Sequence, residues 1–156
     1  MKNWIVLPLV LGFLALTTVG SAQKDWQWKQ HGVGFSAPAN LRITTNNASE
    51  FTAEGSDLIL SIYVEQDGEV NEDGLAEALV AAATELEYDE ITDVDELEID
   101  DFTGYYVEGT KDGVGALIIT LLDKKSATNL VIVLAYSTDA ARDKAIDIAD
   151  SFYAFD

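Results

Sequence analysis

Most of the side chains that could do chemistry in this chain are carboxylates. There are 28 Asp and Glu, nine Lys and Arg, one histidine and no cysteine in 156 residues. Acid–base catalysis needs two carboxyl groups in unequal environments, and no local pattern marks one pair out from the other acids. Nucleophilic catalysis lacks a thiol and a Gly-x-Ser-x-Gly elbow. His31 sits beside Gly32 near the start of the expected domain. It reads as an exposed loop residue rather than a general base. A His/Cys zinc site lacks its ligands. Neither a Gly-rich phosphate loop with Lys nor a basic patch with interleaved aromatics is present. The chain is therefore read as a non-enzyme, with no catalytic residue.

Calcium is the one cation that the acids suggest. Setting Gly74 at the invariant glycine of a calcium loop puts Glu69, Asn71 and Asp73 at the first, third and fifth positions. The twelfth is then Val80, where a bidentate Glu is required, so that template fails. Between Asp89 and Asp101, eight of 13 residues are acidic. Asp89, Glu90, Asp93 and Asp95 form a loose calcium candidate, set against the favoured reading of a solvated acidic stretch. No other cofactor is expected. A second candidate site is the pair Trp26 and Trp28, at period two. Exposed, they would form a surface for a partner. Packing onto the body is favoured, because large aromatics usually supply buried area.

The elements that must position these residues centre on Phe102 to Tyr136. This stretch reads as three strands, the first two joined by Asp112-Gly113, a two-residue hairpin signal. Leu117, Ile119 and Leu121 would point to one face, and Ala116, Ile118 and Leu122 to the other. The third run, Leu130 to Ala135, is apolar on both faces too. Buried helices are the alternative; run length and β-branched content favour strands. Strands apolar on both faces need a cover on each. Two helices can supply it. One runs from Glu72 to Leu86, with Asn71 as N-cap and an apolar face of Leu75, Leu79, Ala82, Ala83 and Leu86. The other runs from Asp139 to about Tyr153 behind Thr138, with Ala141, Ala145, Ile148 and Phe152 along one side. Shorter strands are expected at Val33–Ala37, ended by Pro38, and at Leu41–Thr44. A hairpin is expected over Glu50–Ala53 and Asp57–Glu65. Leu97 and Ile99, alternating with acids, read as a strand near a sheet edge. The fold class is α+β: an antiparallel sheet sandwiched between two amphipathic helices.

The first 22 residues differ from the rest. Lys2 precedes an apolar run from Trp4 to Leu16, and Gly20-Ser21-Ala22 suits cleavage before Gln23. Residues 1–22 are read as a signal peptide and 23–156 as one domain, periplasmic or secreted. An uncleaved anchor is the less favoured alternative. Loss of Lys2 would leave eight cations against 28 carboxylates, a net charge of −20. Such a surface repels nucleic acid and anionic lipid, and it favours cationic partners or a saline habitat.

Two short motifs carry a resemblance. Gly34-Phe35-Ser36-Ala37-Pro38 follows the signal peptide, and Ile148-Ala149-Asp150-Ser151-Phe152 closes the last helix. Together with the order of elements between them, the chain resembles the Mog1/PsbP-like superfamily, in particular its small exported bacterial members. The resemblance implies an α-β-α sandwich and a non-enzymatic docking role. The partner expected on this reading is another protein of the envelope or the extracellular space; the alternative is a cation or small-ligand binding protein using the acidic segment or a pocket lined by Trp26 and Trp28.

Overall fold

A computed structural model describes residues 22–65, 71–126 and 128–156. The expected signal peptide and the loop after Glu65 fall largely outside the described residues. The strands, in chain order, are β1 (Gln23–Trp28), β2 (Val33–Pro38), β3 (Arg42–Asn46), β4 (Glu50–Glu54) and β5 (Leu58–Glu65). Helix α1 (Glu72–Glu85) follows, then β6 (Asp95–Ile99), β7 (Phe102–Lys111), β8 (Val114–Asp123) and β9 (Asn129–Tyr136). Helix α2 (Asp139–Ala149) and the two-residue β10 (Tyr153–Ala154) close the chain.

Every strand pairing is antiparallel. Seven strands form one sheet in the order β3-β4-β5-β9-β8-β7-β6, and three form another in the order β1-β2-β10. The doubly apolar strands are β8 and β9, central and flanked on both sides, as their pattern requires. The β7–β8 hairpin turns at Asp112 (φ 53°) and Gly113 (φ 81°), both in the left-handed region that a type I′ turn demands. Asn71 caps α1 by accepting the Gly74 N–H, and Thr138 caps α2 by accepting the Ala141 N–H.

Alternation along β8 separates two apolar clusters. Leu117, Ile119 and Leu121 join Leu130, Ile132 and Leu134 of β9, with Ala141, Ala145 and Ile148 of α2. Ala116, Ile118 and Val107 pack with Leu79 and Ala83 of α1. Thr120 is buried on this second face and donates its hydroxyl to the Leu75 carbonyl at 3.1 Å. The expected α+β class and antiparallel sheet are therefore present. The expected cover of one helix per face needs correction on the α2 side. There Trp28, Val33, Phe35 and Ala37 of the small sheet belong to the same cluster as α2.

The small sheet also explains why α2 stops at Ala149 rather than near Tyr153. The Ser151 hydroxyl lies 2.7 Å from the Ile148 carbonyl and accepts the Ser36 N–H at 2.9 Å. Phe152 stacks on Phe35 with centroids 5.2 Å apart. Tyr153 then pairs with Gly34 in β10. A Cβ on Gly34 would stand 2.1 Å from the Tyr153 ring, so the close approach needs glycine there. The two short motifs, more than 100 residues apart, are thus one contact.

Candidate functional site

The structure relocates the residues singled out in the sequence. Trp28 is 0 % exposed and Trp26 7 %. The Trp28 indole donates to the Asn47 carbonyl at 3.1 Å, and that of Trp26 to the Ala37 carbonyl at 3.3 Å. Both are core residues, as the favoured packing onto the body expects, and the alternative partner surface is not formed by them. Their even spacing points both inward from β1, where burial of an indole is worth most. Lys24 lies over the outer face of Trp26, 4.3 Å from its centroid. His31 is only partly exposed: its ring meets Trp28 edge-on at 4.4 Å, and Nε2 is 2.6 Å from the Ala48 carbonyl.

Asp89, Glu90, Asp93 and Asp95 do not converge. Among the described residues no group of three or more His, Asp or Glu is gathered to hold a metal ion. The chain here runs beside β7 and bends at Glu90 (φ 47°). Asp89 exchanges backbone hydrogen bonds with Thr110, and Thr92 does so with Glu108 through its N–H and its hydroxyl oxygen. All four carboxylates are exposed, and they stay solvated and separate. The calcium expectation at this cluster is corrected accordingly.

What the sequence did not single out is a groove of about 420 Å³ between α2 and the β6–β7 side of the sheet. Its floor is Leu97, Tyr106, Leu117 and Ile119; its α2 wall is Ile146, Ala149 and Asp150. Cross-strand pairing sets Leu97 opposite Gly104 and Tyr106 opposite Ile119, so these residues share one face. The groove exists because α2 packs over β8, β9 and β2, leaving the β6 side of that face uncovered.

Glu108 and Arg142 line one end of the groove, and Tyr136 joins them from behind, so that three elements meet there. Arg142 of α2 donates through Nε to Glu108 Oε2 at 2.6 Å and through a terminal nitrogen to Oε1 at 2.9 Å. Tyr136, at the end of β9, donates its hydroxyl to Glu108 Oε2. This is a bidentate, charge-assisted pair with a third donor. Arg142 holds the Glu108 carboxyl below the ordinary range, against an opposing push from burial. Burial, followed by the ionised Glu108, pushes the Tyr136 phenol up to about 12. Glu108 therefore stays ionised, and Tyr136 and Arg142 stay protonated, across the physiological range. Proton transfer near neutral pH calls for a group poised near that pH, and none of these three is. The trio clamps α2 to the sheet and leaves the groove an apolar slot with fixed polar ends. The signal in the sequence is a lone carboxylate inside β7 and, on the helix facing it, one of the chain's two arginines.

The opposite lip of the groove is β6. Leu97 and Ile99 are half-buried toward the α2 face. Glu98 points the other way, accepting from Thr103 at 3.1 Å and from Lys124 at 3.2 Å. Those hydrogen bonds, that from Lys124 first, lower its carboxyl.

No family model matches the chain, and comparison with curated proteins finds no relative. Solved structures do share its architecture. The crystal structure of the Ran-binding protein Mog1p from Saccharomyces cerevisiae superposes with a TM-score of 0.56 at 12% identity, covering 87% of this chain and 97% of that one. A structure from Bacteroides thetaiotaomicron covers 80% of this chain and 46% of its own, with a TM-score of 0.48 at 7% identity. The class of protein defined by this architecture is an α+β domain built on an antiparallel sheet. More particularly, the chain has the fold of Mog1p.

Proposed function

We propose that this chain is an exported, non-catalytic acidic domain that binds another protein of the cell envelope. The observation that carries this reading is the groove between α2 and β6. It is apolar along its floor, and its ionisable end is a saturated clamp rather than a reactive group. A slot of this kind holds a partner's side chain; it does not move a proton. The fold adds support, because the similar Mog1p is itself a Ran-binding protein. What is carried over is the use of the fold for docking, not that partner. The layers read as α1, the seven-stranded sheet, and then α2 with the small sheet beside it. Export is supported by the sequence of residues 1–22 and by the start of β1 at Gln23, the residue expected to follow cleavage.

The test is crosslinking and affinity capture from the protein's own envelope fraction, comparing the natural chain with Ile146→Glu. Ile146 lines the groove from α2 and is half-buried. A reproducible partner that the variant loses, while its melting curve stays cooperative, is the expected result. A partner held equally by both proteins removes the groove from the reading, and no partner at all removes the reading itself.

A further inference from the structure

β6 is the outermost strand of the large sheet, and no described strand pairs with its outer side. An edge strand presents a row of backbone N–H and C=O groups to whatever lies beside it. This one runs from Asp95 to Ile99 in unbroken register with β7. It is also one lip of the groove, through Glu96, Leu97 and Glu98. An added strand would therefore meet two things at once: open backbone groups, and an apolar slot on the side where every second residue points.

Charge decides what kind of strand. Asp95, Glu96, Glu98 and Asp100 follow one another along this edge. Across the groove, Asp150 is the C-cap of α2, and the last turn of that helix holds no basic residue. A helix C-terminus is the negative end of the dipole, where a cation is favourable and a carboxylate is not. Lys124 answers Glu98; no ion pair among the described residues answers Glu96 or Asp150. A second copy of this chain would set carboxylates against carboxylates, which is destabilising across a strand pair. A small polycation would answer the charge but leave the backbone groups unpaired.

We infer that the β6 edge and its groove take an extended, basic segment of a partner protein as an added strand. Lys or Arg side chains of that segment meet Glu96 and Glu98 on the face away from α2, and one apolar side chain enters the slot over Leu97 and Tyr106. This is strand addition, in which main-chain pairing supplies affinity and alternate side chains supply specificity. It rests on the protein-binding reading above and names the chemistry of the partner.

The test uses a fluorescent peptide of roughly seven residues, the length of a short strand, alternating lysine with valine. Its anisotropy is followed as purified protein is added. Three comparisons accompany it: the same peptide with glutamate for lysine, the same peptide with its backbone nitrogens methylated, and spermidine as competitor. The lysine peptide is expected to bind in a salt-sensitive way, and the glutamate and methylated peptides are not. The double variant Glu96→Lys, Glu98→Lys is expected to weaken binding by about tenfold or more, with a melting transition that stays cooperative. Amide exchange over Asp95–Ile99 is expected to slow on binding. Equal binding of the methylated peptide, displacement by spermidine at matched concentration, protection elsewhere in the chain, or no binding by any basic peptide overturns the inference. An envelope partner captured equally by the double variant overturns strand addition alone and leaves the broader docking role standing.

Discussion

The large sheet ends in two strands of equal length that solve the same problem in opposite ways. β3 and β6 each have five residues and one side on which no described strand pairs. β3 is nearly uncharged, carrying only Arg42, and exposes Ile43 at 45 %. Its pairing with β4 shifts register between Ile43 and Thr45, a bulge that bends the edge away from any straight neighbour. β6 keeps perfect register but carries Asp95, Glu96 and Glu98. Both devices discourage unwanted pairing. The difference is selectivity. A bulge refuses every straight strand, whereas a row of carboxylates refuses only those that are not basic. The edge protected by charge is the one that can still be used.

That comparison can be broken by removing what holds β6 in place. Gly104 sits opposite Leu97, and a Cβ there would stand 2.0 Å from the Thr120 carbonyl oxygen. Gly104→Val is expected to cost about 3 kcal/mol, the upper part of the range for overpacking. Chemical denaturation measures the loss, and exchange should open β6 and β7 before β3 and β4. A uniform loss of protection would mean that the two edges are not independent.

A smaller effect is expected from the clamp that shapes the groove. Glu108 is 23% exposed in its side chain. Glu108→Gln should lower stability by about 1 kcal/mol near neutral pH, the order expected of a well-formed, partly exposed ion pair. Because Arg142 depresses the carboxyl in the folded state, its contribution is present above the ordinary value of 4.5 and is lost as pH falls through the lowered one. The difference between the natural chain and the variant should therefore shrink on acidification below that value. A difference that holds constant into acid would show that the carboxylate charge contributes nothing.

The edges themselves give the two smallest stability effects. Replacing Glu96 and Glu98 by Thr should leave the melting temperature almost unchanged but bring on self-association, seen by light scattering, because the regular edge loses its charges. Ile43→Thr on β3 should change stability by no more than about 0.5 kcal/mol, as for most surface substitutions. It should not alter association, since the bulge remains. Self-association through β3 instead of β6 would reverse the assignment of which edge is guarded by shape.

Much of the fold was legible because it is written in local chemistry. The Asp112-Gly113 turn, the caps Asn71 and Thr138 and the doubly apolar β8 and β9 each follow from neighbours in sequence. The acidic β6 was expected near an edge and lies on one. Less legible was anything that joins distant residues. The two indoles of β1 show period two, but only the small sheet determines that both point inward. The carboxylates at Asp89 to Asp95 look like a cluster on paper because they are close in sequence, yet the fold leaves each exposed and does not gather them. Glu108, Arg142 and Tyr136 meet though 34 residues separate the first two, and no local pattern connects them.

The sequence by itself determined the class of the domain, the burial of its central strands and the sign of its charge, since turn chemistry, periodicity and composition are local or additive. Tertiary structure alone decided where the exposed chemistry lies. It buried the tryptophans, dispersed the calcium candidate and opened the groove beside β6. The physical reason is that a site is a juxtaposition, and juxtaposition depends on which face each element turns to its neighbours.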